Sequence, residues 1–432
     1  MSKKTLLIFL FIFGLQFFIS AQSFDTQVFD AQAYYTQAYY TPTLLLPLIE
    51  NAPEINSRAA VLIDFATGAL LYSKNPGEEI PPASLTKLMT MYVVMNEVAA
   101  GRASLDEIVP ITKESWAMNM DSRSSLMFIE PRHVVTLREI MLGLAVSSGN
   151  DAAVAVALRF APSVEAFAST MTAEASRIGL TVTRFVEPSG LSENNITTAA
   201  EYTRFCRHYL TLYPQNLAGF HSVPVFSYPM AANVPEYLRK KPGTITQYNR
   251  NKLLTTFPGV DGLKTGYIDE SGYNIAITAE REGTRFIAVI LGAENERNRN
   301  TDSTLLLTWA FDNFKTVRPN VNVNINTIID TIEKPRLWKG KANFADIKPA
   351  HSADFTSPVD RANALRHEIV INHPLIAPLA ECSLAGYLVF YDEQGEVNRV
   401  PLITAAFYEQ GNFFKRIWHS IRMLFIRESN LE

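Results

Sequence analysis

Two cysteines in 432 residues exclude a disulfide framework, so the fold must rest on buried apolar area rather than covalent staples. Cys206 and Cys382 lie far apart in differently patterned regions, and two buried free thiols are expected. The seven histidines form no H-E-x-x-H pair and no cluster at metal-ligand spacing, so neither a metal nor another cofactor is indicated. A net charge of -4, with no long basic block away from the two ends, excludes a general attraction to nucleic acid. The apolar run Leu6 to Ile19 is short for a membrane span and is broken by Gln16.

What remains is globular in composition, 47% hydrophobic and 19% charged, and long enough for two or three domains. Lys3 and Lys4, the apolar run and Ser20-Ala21 make residues 1–21 a secretory signal, so the body is expected outside the cytoplasm, at the outer face of the membrane or in a periplasm. Bulky Phe18 and Ile19 fit the cleavage site imperfectly, which leaves cleavage and retention as an anchor both open. Residues 22–58 read as a low-complexity spacer, because Gln32-Ala33-Tyr34-Tyr35-Thr36 repeats as Gln37-Ala38-Tyr39-Tyr40-Thr41.

From Ala59 the texture is that of a folded domain, over 59–318. Ala59 to Asp64 is an apolar strand, Thr67-Gly68 a turn, and Ala69 to Tyr72 the returning arm. A helix is predicted from about Ser84 to Val98. Thr136-Leu137-Arg138-Glu139 and Thr198-Ala199-Ala200-Glu201 are capping boxes opening two more. Strands return at Ile275–Thr278 and Phe286–Leu291, before a helix around Leu305–Phe314. Strands at both ends of a helical block make the fold class α+β, an antiparallel sheet plus helices.

After Pro319 alternation over Val321–Ile325 and a hairpin through Tyr387–Ile403 mark a small all-β domain, 319–405. The end, 406–432, holds Phe413, Ile417, Ile421 and Leu424 at helical spacing, with Lys415, Arg416, His419 and Arg422 largely opposite. That is a basic amphipathic helix suited to lie on a membrane surface.

Ser84-Leu85-Thr86-Lys87 puts a hydroxyl and an amine three residues apart, on one helical face. A serine needs an adjacent base to become a nucleophile, and lysine serves only where burial or a nearby cation keeps it neutral. S-x-x-K alone is a common accident. Ser148-Gly149-Asn150 and Lys264-Thr265-Gly266 each occur once in the chain, and the three together, in that order, are specific.

With these motifs the chain resembles the penicillin-binding proteins and serine β-lactamases, most closely the low-molecular-mass D-alanyl-D-alanine carboxypeptidases. The resemblance implies a transpeptidase-like catalytic domain, a β domain and an amphipathic anchor. It implies peptidoglycan stem peptides as substrate, loss of a terminal D-alanine, and β-lactams as covalent inhibitors. It makes Ser84 the nucleophile and Lys87 its base, with Lys264 nearby. Ser148 would relay a proton to the leaving amine, and Asn150 would hold the substrate amide or orient Lys87. Lys264 and Thr265 would take the substrate carboxylate, with Arg250 and Arg299 as further carboxylate contacts. Backbone after Gly266 would pair with the peptide, and the amides of Ser84 and Tyr267 would form the oxyanion hole. Ile268 lacks the hydroxyl often found at its place. Glu187, where Asn or Asp is usual, would be a structural carboxylate or a deacylation base. Against a β-lactamase stand Gly149, where class A enzymes carry Asp, and the lack of an E-x-x-L-N segment after Ser148. A non-catalytic scaffold is disfavoured by the intact motifs.

Overall fold

The computed structural model describes residues 52–319, 334–362 and 366–425. These fall into two compact units: 52–318 with 354–362, and 319, 334–353 and 366–425. The expectations for the signal segment, the repeats and the Val321–Ile325 strand lie outside the described residues.

The larger unit is built on an antiparallel sheet of five strands. They are β1 (Ala59–Asp64), β2 (Leu70–Lys74), β3 (Val260–Ile268), β4 (Gly272–Arg281) and β5 (Thr284–Ala293), in the spatial order β2-β1-β5-β4-β3. Side chains alternate between its faces, as the twofold period of a strand requires. Val61, Ile63, Ile287 and Val289 join one core, and Leu62, Ala288 and Ile290 the other. The first core contains α1 (Thr86–Ala99), α2 (Leu137–Leu142), α3 (Asn150–Phe160), α4 (Val164–Arg177) and α5 (Ala199–Leu212). The second is closed by α6 (Glu296–Asn313), through Leu306, Leu307 and Ala310. α1 is buried along ten of its fourteen residues, Lys87 included, so it runs through the core rather than over it.

Several expectations are corrected. The spacer stops short of residue 58. Ile55 is buried in the second core, and Asp302 accepts from the Ser57 amide at 2.8 Å and the Ser57 hydroxyl at 2.5 Å. The small β domain is not continuous from 319 to 405. Phe355–Pro358 pairs antiparallel with Phe314–Val317, and the hydroxyls of Thr316 and Thr356 both donate to buried Asp64, at 2.8 and 2.9 Å. Both cysteines are free, but only Cys206 is buried.

The capping box at Thr136 forms, with the Glu139 amide donating to Thr136 Oγ1 at 3.2 Å and Glu139 Oε2 accepting from the Thr136 amide at 2.8 Å. At Thr198 only half of the box forms. Thr198 caps the Glu201 amide at 3.1 Å, but the Glu201 carboxylate accepts from the amides of Thr181, Val182 and Thr183 at 2.7, 3.0 and 2.8 Å instead.

In the smaller unit a four-stranded antiparallel sheet runs in the order Ile347–Pro349, Gly395–Thr404, Leu384–Asp392, Arg366–Ile371. The terminal helix α7 (Phe413–Leu424) begins at Asn412, whose side chain accepts from the Lys415 amide at 2.9 Å. His419, expected on the polar face, is instead the buried contact. Its Nδ1 accepts from the Lys339 amide at 2.8 Å, and its ring meets Trp338 edge-on at 5.4 Å. Phe413, Phe414, Ile417, Trp418, Ile421, Leu424 and Phe425 stay exposed, Phe414 by 80%.

Candidate active site

The predicted helix start is resolved into two pieces. Ala83–Leu85 forms a short 3-10 turn, and the α-helix begins at Thr86. Ala83 sits at φ 51, a left-handed conformation costly for any residue with a Cβ. The turn is held from outside: Asn274 Nδ2 donates to Pro81 O at 3.0 Å, and the Tyr202 hydroxyl donates to Leu85 O. Ser84 is left partly exposed at the mouth of the helix, with Lys87 fully enclosed beneath it.

Lys87 Nζ lies 3.1 Å from Ser84 Oγ. Its other partners are Asn150 Oδ1 at 2.8 Å and the Ser189 carbonyl at 2.5 Å. Burial lowers the lysine to about 7, and nearby Arg250 pushes the same way against the carboxylates of Glu187 and Asp151. A neutral amine has two N–H bonds and one lone pair. With Asn150 and Ser189 accepting the two, the lone pair faces the Ser84 hydroxyl.

Ser148 ends a wide helical turn, Gly143–Ser147, that continues α2. It stands at φ 59, turning its hydroxyl out of the helix just before α3 begins at Asn150. Asn150 Nδ2 donates to Ser124 Oγ at 3.1 Å, which directs its Oδ1 to the lysine. Beneath the loop Asp151 is fully buried and accepts from the amides of Met127, Ile129 and Ala152 at 2.8, 3.0 and 2.9 Å.

Lys264, Thr265, Gly266 and Tyr267 lie on β3, the edge strand of the sheet. Lys264 Nζ donates to Ser148 Oγ at 3.0 Å and to Thr265 O at 2.9 Å. Burial, then Lys87, Arg250 and Arg299, hold it well below the ordinary lysine range. At Gly266 a Cβ would meet Pro82 O at 2.9 Å and the Ser84 amide nitrogen at 3.0 Å, so only glycine lets the strand pass this close to the nucleophile. Tyr267 is exposed, its ring 4.3 Å from that of Tyr273. Ile268 is buried and cannot offer a groove contact.

The structure therefore forms two hydrogen-bonded groups, Ser84–Lys87–Asn150 and Ser148–Lys264, whose two lysines lie near enough to interact by charge. Arg250 keeps an exposed side chain, yet its charge acts on both lysines. Arg299 is buried on α6, 3.0 Å from Asn300 Oδ1 and 3.4 Å from Glu296 Oε1, and acts on Lys264 by charge. A cleft of about 420 Å³ opens beside Asn150, lined by Ser124, Val154, Ser189 and Leu191 among others. Two participants were not foreseen from the sequence, the Ser189 carbonyl and Asp151. No group of His, Cys, Asp and Glu suited to a metal occurs among the described residues.

A serine beside an enclosed lysine, a second serine against a second lysine and an open strand edge match the motif set of the penicillin-recognising serine enzymes. The chain belongs to one family of that class. The profile of the D-alanyl-D-alanine carboxypeptidases matches residues 47–295. The D-alanyl-D-alanine carboxypeptidase DacC of Escherichia coli is 32% identical over 379 residues, 87% of this chain and 90% of that protein. Among solved structures, penicillin binding protein 5 of Haemophilus influenzae superposes with a TM-score of 0.72 at 28% identity, covering 83% of this chain and 99% of that one. Penicillin-binding protein D2 of Listeria monocytogenes, solved in its ampicillin-bound form, gives 0.52 at 27%, covering 60% and 100%.

Proposed function

We propose that the enzyme removes the C-terminal D-alanine of peptidoglycan stem peptides through an acyl-enzyme on Ser84, and that β-lactams acylate the same oxygen. One observation carries this reading: the Lys87 amine is enclosed, within hydrogen-bond reach of Ser84 Oγ and of two acceptors, Asn150 Oδ1 and the Ser189 carbonyl, that can take its hydrogens when it is neutral. In the acylation step the Ser84 proton passes to Lys87 while Oγ bonds to the penultimate D-Ala carbonyl carbon. The amides of Ser84 and Tyr267 receive the developing oxyanion. The bond to the terminal amine then breaks, and Ser148 relays a proton to the leaving D-alanine. Water attacks the ester and restores Ser84.

The terminal carboxylate is recognised by the cationic end of the groove. Lys264 is disfavoured as an ammonium in the free site, and an arriving anion offsets that penalty. Thr265 supplies a hydroxyl, and Arg250 and Arg299 add field. The unpaired edge of β3 accepts the peptide as an added strand, with its preceding residues directed to the cleft beside Asn150. The exposed apolar face of α7 supports attachment to a membrane surface, with exposed Arg416 and Arg422 as the cations for anionic headgroups, since Lys415 Nζ is held by Lys341 O and Asn343 Oδ1. The signal segment supports export to that location.

The test is D-alanine release from a pentapeptide compared with cleavage of a cross-linked dimer. The carboxypeptidase reading predicts release from the first, abolished in Ser84→Ala. Dimer cleavage without release from the pentapeptide would make the enzyme an endopeptidase.

A further inference from the structure

Glu187 stands in the loop that covers Lys87, and its chemistry is restricted by its partners. The carboxylate accepts from the Ser189 amide at 2.7 Å and the Ser189 hydroxyl at 2.6 Å. It also accepts from the Gly190 amide at 2.6 Å, the Ser192 amide at 3.3 Å and Asn195 Nδ2 at 2.9 Å. A carboxylate offers about four lone-pair positions, so five donors leave no oxygen free to take a proton from water.

The same bonds fix where the loop points. Thr90 on α1 donates to the Pro188 carbonyl at 2.7 Å. Gly190 has φ 83, and a Cβ there would lie 1.9 Å from Ala83 O, so the loop presses directly on the nucleophile's turn. Between these two anchors the Ser189 carbonyl meets Lys87 Nζ at 2.5 Å.

We propose that Glu187 is a positioning residue for acylation, holding the Ser189 carbonyl on Lys87 through the closed 187–192 loop, and is not the base of deacylation. The proposal rests on the reading that Ser84 is acylated with Lys87 as its base. Glu187 and Asp151 favour its protonation and Arg250 opposes it; Lys264 also lies nearby, but there it is Lys87 that disfavours the charge on Lys264. Removing the Glu187 charge therefore lets the amine become neutral at lower pH.

The experiment is the rate of penicillin acylation, and of breakdown of the acyl-enzyme, across the pH range bracketing 7, for wild type, Glu187→Gln and Glu187→Asp. Both substitutions are expected to slow acylation about tenfold on the plateau, because a slackened loop misplaces the carbonyl. Only Glu187→Gln shifts the acid limb, downward by roughly one pH unit; Glu187→Asp keeps the charge and the limb. Matched thermal unfolding separates misfolding from mispositioning. A Glu187→Gln enzyme that acylates like wild type but accumulates a long-lived acyl-enzyme would overturn the proposal, as would an unchanged rate and limb in both variants. Penicillin reports on Ser84 whatever the natural peptide is, so failure of the D-alanine assignment leaves these outcomes readable.

Discussion

Lys87 concentrates the physical cost of the site in one residue. A buried ammonium loses its hydration, and the two carboxylates that favour it, Glu187 and Asp151, offset that only in part. The folded-state value falls to about 7, so below that the amine is protonated and cannot accept from Ser84. Above it the amine is neutral, as the proposed role of base requires. The acylation rate constant is therefore expected to rise with pH through about 7 and then level off, as measured by stopped-flow with a chromogenic β-lactam. Lys87→Met, which keeps the stem but not the amine, should cost about 10² to 10⁴ in that rate. At this scale the sequence was legible wherever chemistry resides in a side chain type. Ser84, Lys87, Ser148 and Lys264 announce themselves by spacing. The Ser189 carbonyl does not, because every residue owns a carbonyl and only the loop's path selects this one. Asp151 was equally silent. One carboxylate after Ser148-Gly149-Asn150 looks like any first-turn acid until Met127 and Ile129 are found above it.

Among the elements, α5 shows where local pattern yields to tertiary demand. Thr136 and Thr198 open the same S/T-x-x-E motif, yet only Glu139 turns back to its own cap. Glu201 is drawn to the amides of 181–183 and the Thr183 hydroxyl at 2.6 Å. Those donors are brought there by the fold and are invisible to a four-residue window. The consequence is a graded prediction, checked by denaturant unfolding of the larger unit's transition. Thr198→Ala should cost about 1 kcal/mol, the usual value of an N-cap. Glu201→Ala should cost more, roughly 2–4 kcal/mol, since it strips the buried Thr183 amide and hydroxyl, and the less buried amides of Thr181 and Val182, of their partner at once. Equal effects would mean that the carboxylate contributes no more than a cap. The edge position of β3 was likewise unreadable, because strand order depends on which long connections return beside which strand.

For the whole molecule, the α+β class and the β-hairpin at the centre of the smaller unit's sheet followed from texture alone. The return of Phe355–Pro358 to pair with Phe314–Val317 did not, since a four-residue strand carries no mark of its distant partner. The terminal helix was legible as amphipathic, but not the way it is docked: His419 faces inward and the aromatic side faces solvent. If that face attaches to membranes, the protein should co-sediment with anionic vesicles, and Ile417→Asp with Trp418→Asp should abolish it while leaving penicillin acylation unchanged. Retained sedimentation in the double variant would remove the helix from that role. The most direct test of the central claim is to map the covalent adduct formed with benzylpenicillin by intact mass and peptide analysis. The account predicts one adduct, on the peptide containing Ser84, and none in Ser84→Ala; an adduct on any other residue, or the same adduct in the Ser84→Ala protein, would contradict it.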